Sequence, residues 1–265
     1  MTQRLILWCG LLVLLFGFGQ RFSAAQDLTI AAAADLQFAM PDIASRFQKE
    51  TGKNVRVVYG SSGNFFEQIE NGAPFDMFFS ANLDYAKRLE SAGLVEPTSY
   101  EYAEGKLVIW APTDSKLSLT SGLSVLLDPS VKKIAIANPE HAPYGQAAVA
   151  AMKKANIYGK IKDKLVLGEN ISQAASFVAT GAADVGILAL SLAVSPGMKE
   201  KGRYAEIPEE DYPAIQQACV ILNSSKNKKE AEQFLEFIKT PAIGSVLQSY
   251  GFAIPASPSG ASNGR

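Results

Sequence analysis

From Leu28 onward the chain alternates short apolar runs with amphipathic stretches of helix length, and this alternation limits the fold more than any other feature. Strand-like runs at 28–33 and 55–59 are each followed by a helix-length segment, at 36–51 and 64–71. That βαβα order predicts an α/β fold with a mainly parallel sheet, because a helix between two strands returns the chain to the same end of the sheet. Gly72-Ala73-Pro74 breaks the second helix, residues 76–80 read as a third strand, and 83–92 read as a helix stopped by Gly93.

The pattern then restarts. A strand at 106–111 leads into Pro112 and a polar stretch, and a second α/β series opens at 134–137. It continues with a helix at 145–156, segments at 164–167, 171–180 and 185–190, and a long strand at 216–222. Helices at 228–239 and 241–250 follow, by which point the chain is expected to have crossed back to its first lobe. The predicted organisation is a signal peptide at 1–25, a first lobe from 26–105 plus 223–255, a second lobe from 106–222, and a Ser-, Gly- and Pro-rich disordered tail at 256–265. Two crossing segments make a hinge suited to closing on a ligand.

At the N-terminus, Arg4 precedes an apolar run from Leu5 to Phe18, and Ser23, Ala24 and Ala25 supply the small residues of a cleavage site. The run is shorter than the roughly 20 residues of a membrane-spanning helix, so the mature chain is expected to be soluble and periplasmic, starting near Gln26. Cys9 falls inside this segment, too early for lipid attachment, and Cys219 is the only other cysteine, which leaves no disulfide for the mature chain. The neighbours of Cys219, Ala218 and Val220-Ile221-Leu222, mark a buried strand. Without Arg4 and Arg21 the 25 basic residues become 23 against 26 acidic, a net charge of −3, and no surplus of positive charge is available for nucleic acid.

Four places share one arrangement, a strand or extended segment ending in small, hydroxyl or amide residues just before a helix. They are Ala33-Ala34-Asp35, Gly60-Ser61-Ser62-Gly63-Asn64, Ala142-Pro143-Tyr144-Gly145 and Glu169-Asn170-Ile171-Ser172. The first N–H groups of a helix have no partner within it and carry the positive end of its dipole, so four such starts converging would cradle an anion. None of the four stretches contains Lys or Arg. Each alone reads more simply as an ordinary helix cap; repetition, two in each expected lobe, points to a site.

His141 is the only histidine, so a histidine-rich metal site is excluded and a Ser-His-Asp triad could be built only around it. Gly60-Ser61-Ser62-Gly63 lacks the Gly-x-Ser-x-Gly elbow of a serine hydrolase, which stays as the enzymatic alternative to a binding protein. Tyr100 and Tyr102 keep open a ferric- or organic-anion-binding variant, although a pair near a lobe junction reads more simply as packing.

The sequence resembles the periplasmic molybdate-binding proteins from about residue 28 to residue 255. The resemblance rests on Ala31-Ala32-Ala33-Ala34-Asp35-Leu36 with Ala39-Met40, on Ser61-Ser62, on the run from Gln68 to Asp76, and on Ser80-Ala81-Asn82. It continues through Asn138-Pro139-Glu140-His141-Ala142-Pro143-Tyr144-Gly145 and Tyr250-Gly251-Phe252. It implies a two-lobed type II solute-binding fold, no enzymatic activity and no cofactor. Its metal would arrive only inside an oxyanion, molybdate or tungstate, and the partner would be the membrane permease of an ABC importer, served by a monomeric courier. By motif position the oxyanion contacts would be Asp35, Ser62 through hydroxyl and N–H, Tyr144 through N–H or phenol, and Ile171 through N–H. Ala34, Ser61, Gly63, Gly145 and Ser172 would support them.

Two positions depart from that family's pattern. Asp35 stands where many members carry Ser, and its carboxylate would repel a dianion; it is expected to act through its N–H, with the carboxylate turned away to cap the helix. Ala189 stands where some members place a Tyr, a phenol that Tyr144 could supply instead. A carboxylate facing the ligand would instead favour a protonated anion such as hydrogen phosphate, so phosphate, sulfate and organic anions remain alternative ligands.

Overall fold

The computed structural model describes residues 27–97 and 99–255. The expected signal peptide at 1–25 and tail at 256–265 lie outside the described residues. In chain order the first lobe begins with β1 (Leu28–Ala33), α1 (Ala39–Thr51), β2 (Val55–Gly60), α2 (Ser62–Glu70), β3 (Met77–Ser80), α3 (Leu83–Ser91) and β4 (Tyr100–Gly105). The second comprises β5 (Leu107–Pro112), β6 (Ile134–Ala137), α4 (Pro143–Lys154), α5 (Tyr158–Ile161), β7 (Leu165–Gly168), α6 (Ile171–Ala179), β8 (Val185–Ala189), α7 (Leu190–Ala193), α8 (Pro196–Lys199) and β9 (Gly202–Glu206). Then come β10 (Ile215–Ile221), α9 (Lys228–Ile238) and α10 (Pro241–Ser249).

The strands form two five-stranded sheets, ordered β2-β1-β3-β10-β4 and β7-β6-β8-β5-β9. Both are mixed. The βα units run parallel, β1 with β2 and β3, and β6 with β7 and β8, whereas β10 and β5 enter antiparallel to their neighbours. β1 is buried on both faces: Leu28, Ile30 and Ala32 pack with α1, α9 and α10, while Ala31 joins Phe65, Phe66 and Phe78 on the other side. Period-two side-chain alternation in a doubly covered strand produces this division.

One expected boundary is corrected. The second lobe expected over 106–222 would include residues 215–221, but β10 pairs with β3 and β4 of the first sheet. The chain therefore crosses back between β9 and β10. An apolar strand looks the same whichever sheet it joins; only the hydrogen-bonded partner distinguishes them. The first crossing is a single residue, Lys106, between β4 and β5. Cys219 sits in β10, fully buried, and burial pushes its thiol above the ordinary range.

Candidate functional site

The parallel strands of each sheet point their carboxyl ends at the other lobe, and the helices that follow begin there. A small cavity between the lobes is lined by residues 33–35, 60–62, Ala81, 142–144, Asn170 and Ile171. All four sequence-predicted contacts, Asp35, Ser62, Tyr144 and Ile171, line it, as do Ala34 and Ser61. Asp35 lies in a single turn of 3-10 helix, Ala34–Leu36; Ser62 and Ile171 are the first residues of α2 and α6, and Tyr144 is the second of α4. Their N–H groups belong to the first turns, which have no acceptor inside the helix.

Local sequence explains each helix start. Ser61 caps α2 by accepting from Asn64 N–H at 3.3 Å, and Asn170 caps α6 by accepting from the N–H groups of Ser172 and Gln173, both at 3.0 Å. Capping consumes the later N–H groups and leaves those of Ser62 and Ile171 toward the cavity. Pro143 opens α4, where its missing N–H costs nothing. The Ser62 hydroxyl oxygen accepts from Ala81 N–H at 2.9 Å, so its own proton remains to donate.

Gly63, Gly145 and Ser172, expected as supports, do not line the cavity. Gly63 donates its N–H to the His141 carbonyl across the cleft at 2.9 Å, and Ser172 donates its hydroxyl to Gln37 of the opposite lobe. Gly145 packs against the carbonyl of Ala137, at the end of β6. His141 also places Nδ1 2.8 Å from Ser61 Oγ, a hydrogen bond that joins the two lobes.

Asp35 is corrected in one respect. Its carboxylate is not turned away from the cleft to cap the helix. Instead Oδ2 accepts from the Tyr144 phenol at 2.8 Å and from Gln217 Nε2 at 2.5 Å. Gln217 Nε2 also approaches the Tyr144 hydroxyl at 3.1 Å, and Gln217 Oε1 accepts from the Tyr102 phenol at 2.6 Å. The Tyr144 phenol is thus engaged by Asp35, which leaves its N–H for the cavity. Ser191 of α7 donates to the Asp35 carbonyl at 2.9 Å, so the second lobe grips this residue twice.

Asp35 is completely buried, and Oδ1 has no hydrogen-bond partner. Burial raises its pKa to about 6, with the bonds from Gln217 and Tyr144 and the nearby backbone N–H groups of Asp35 and Leu36 opposing the rise. Burial first, and then the charge of Asp35, drive the phenols of Tyr144 and Tyr102 well above their ordinary range, so both act as protonated donors. None of the lining residues is Lys or Arg. Among the described residues no group of three or more His, Cys, Asp or Glu side chains could hold a metal ion.

Gln217 and Ser191 escaped sequence reasoning, and Tyr102 stood out only as half of a tyrosine pair, not as a donor to Gln217. The one available signal was Gln217 itself, a polar residue at an inward position of a strand otherwise buried from Gln217 to Ile221. Gly105, at the end of β4, has no side chain because a Cβ there would collide with the Tyr144 hydroxyl.

The family model described as bacterial extracellular solute-binding protein matches residues 28–253. The chain belongs to this family. Members of this solute-binding family are binding proteins, not enzymes, and in ABC transport they work with membrane permeases. Molybdate-binding protein ModA of Azotobacter vinelandii is 37% identical over 246 residues, covering 92% of this chain and 97% of the relative. The solved Azotobacter vinelandii periplasmic molybdate-binding protein matches with a TM-score of 0.82 at 33% identity, covering 87% of this chain and all of that one (100%). The sulfate-binding protein SubI from Mycobacterium tuberculosis matches with a TM-score of 0.72 at 15% identity over 87% of each chain, a likeness of fold alone.

Proposed function

We propose that this solute-binding protein captures molybdate or tungstate between its lobes and delivers it to the membrane permease of an ABC importer. The observation that carries this reading is the convergence of helix-start N–H groups at Asp35, Ser62, Tyr144 and Ile171 on one small cavity with no cationic side chain. Such a cavity offers donors and helix dipoles to an anion that needs only donors. The named molybdate-binding relatives at 37% and 33% identity support the same ligand.

Ser62 donates its hydroxyl and N–H; Asp35, Tyr144 and Ile171 donate N–H groups. An anion that bridges both lobes favours the closed arrangement in proportion to its greater affinity for it, and the permease reads that closed shape. Export through a cleaved signal peptide, a periplasmic location, a monomeric state and no role for nucleic acid complete the reading.

Calorimetric titration of the mature protein with molybdate, tungstate, sulfate and phosphate tests it. The first two are expected to bind tightly at one per chain, with little response to the others. Sulfate or phosphate binding more tightly than molybdate overturns the ligand assignment.

A further inference from the structure

We propose that closing on the oxyanion takes up one proton from solvent, and that the Asp35 carboxyl group receives it, which makes a proton the second ligand of this site. The inference rests on the oxyanion reading above. It starts from geometry: a fully buried carboxyl group lines an anion cavity, with two side-chain donors on Oδ2 and no hydrogen-bond partner on Oδ1 among the described residues. A bare, buried anionic oxygen is costly, and a dianion in the same cavity adds repulsion that water no longer screens.

Nothing around Asp35 supplies a compensating cation. β4 brings Tyr102 and α4 brings Tyr144, both protonated, and β10 brings the neutral Gln217. β2 brings Tyr59 and Arg56, the arginine exposed to solvent, while α6 and α7 carry no ionisable residue. His141 stands beyond Ser61 at the cavity wall. Protonation removes the charge and turns the bare oxygen into a donor.

Opening the lobes separates Tyr144 from Asp35 and lets water reach the carboxylate, which favours the ionised form. Burial holds the closed, anion-free carboxyl near a pKa of about 6, and the anion raises it further. The complex therefore carries more protons than the open protein. By linkage, affinity falls as pH rises, tenfold per pH unit for one proton, between the free and bound pKa values of Asp35. Molybdate and tungstate carry no proton near neutrality, so the ligand does not supply this slope.

The test is titration of the mature protein with molybdate at pH 7.5 in Tris and in PIPES, buffers with large and small heats of ionisation, repeated from pH 6.5 to 8. Binding is expected to be less exothermic in Tris by about one proton's worth, and affinity is expected to fall close to tenfold per pH unit. Asp35→Asn is expected to abolish both effects, with affinity at pH 8 above that of the wild type. Equal heats in both buffers with binding intact overturn proton uptake and leave the courier role standing. A buffer effect that persists in Asp35→Asn and vanishes in His141→Gln moves the proton to His141 and overturns the assignment. Absence of molybdate binding in every buffer overturns the underlying reading as well.

Discussion

The Tyr144 phenol, carried by the second lobe, donates to the Asp35 carboxylate of the first at 2.8 Å. Closure of the cleft and hydrogen bonding of a buried carboxyl group are thus one event. Tyr144→Phe should therefore weaken oxyanion binding although the tyrosine N–H is kept. A hydrogen bond to a charged group contributes about 1.5 to 3 kcal/mol, so a loss of about 10- to 150-fold is expected in calorimetric titration. Unchanged affinity would show that this bond does not bias closure.

Gly105→Ala should reproduce that loss from a residue outside the cavity, because its Cβ takes the place of the Tyr144 hydroxyl. Contacting residues do not act additively. The double variant Gly105→Ala, Tyr144→Phe should therefore bind little worse than either single variant, whereas additive losses would mean the two act separately.

Gly63→Ala tests closure from the other side of the cleft. The added Cβ would lie 2.5 Å from the His141 carbonyl, across the cleft, while alanine suits the start of α2. Thermal melting of the anion-free variant should match the wild type, and the rise in Tm on adding molybdate should shrink. A full ligand-induced rise would show that the lobes close without this contact.

Ser62→Ala removes the one side-chain hydroxyl assigned to the anion and should weaken binding by about 1.5 to 3 kcal/mol, read by the same titration. Binding as tight as the wild type would remove the Ser62 hydroxyl from the contact set.

The pH dependence of stability follows from the raised pKa of Asp35, from 3.8 to about 6. The folded protein binds this proton more tightly than the unfolded chain, so the associated stability is complete below pH 4 and lost as pH rises through about 6. At about 1.4 kcal/mol per pH unit, the difference approaches 3 kcal/mol. With the lobes held closed by saturating molybdate, Asp35→Asn should therefore be more stable than the wild type to urea at pH 7.5. Equal or lower stability would mean that the carboxylate is better satisfied than its bare Oδ1 suggests.

The α/β order was legible because strands and helices differ in hydrophobic period, and three of the four cavity-lining helix starts because Ser61, Asn170 and Pro143 announce them locally. Sheet membership of β10 was not legible, since pairing with β3 depends on residues more than a hundred positions away. The same distance hid the bonds from Gln217 and Tyr144 to Asp35, which are separated from it by 182 and 109 positions. A local reading made Asp35 a helix cap because Asp before a helix usually is one. Only the packed lobes show the carboxylate engaged across the cleft.

Crystals of the molybdate complex, measured at the molybdenum absorption edge, test the central claim most directly. One anomalous peak is expected between the lobes, with the anion's oxygens about 3 Å from the N–H groups of Asp35, Ser62, Tyr144 and Ile171 and no Lys or Arg in contact. A peak elsewhere, such as the surface cleft lined by Tyr100 and Lys239, or a site held by a cationic side chain, would contradict it.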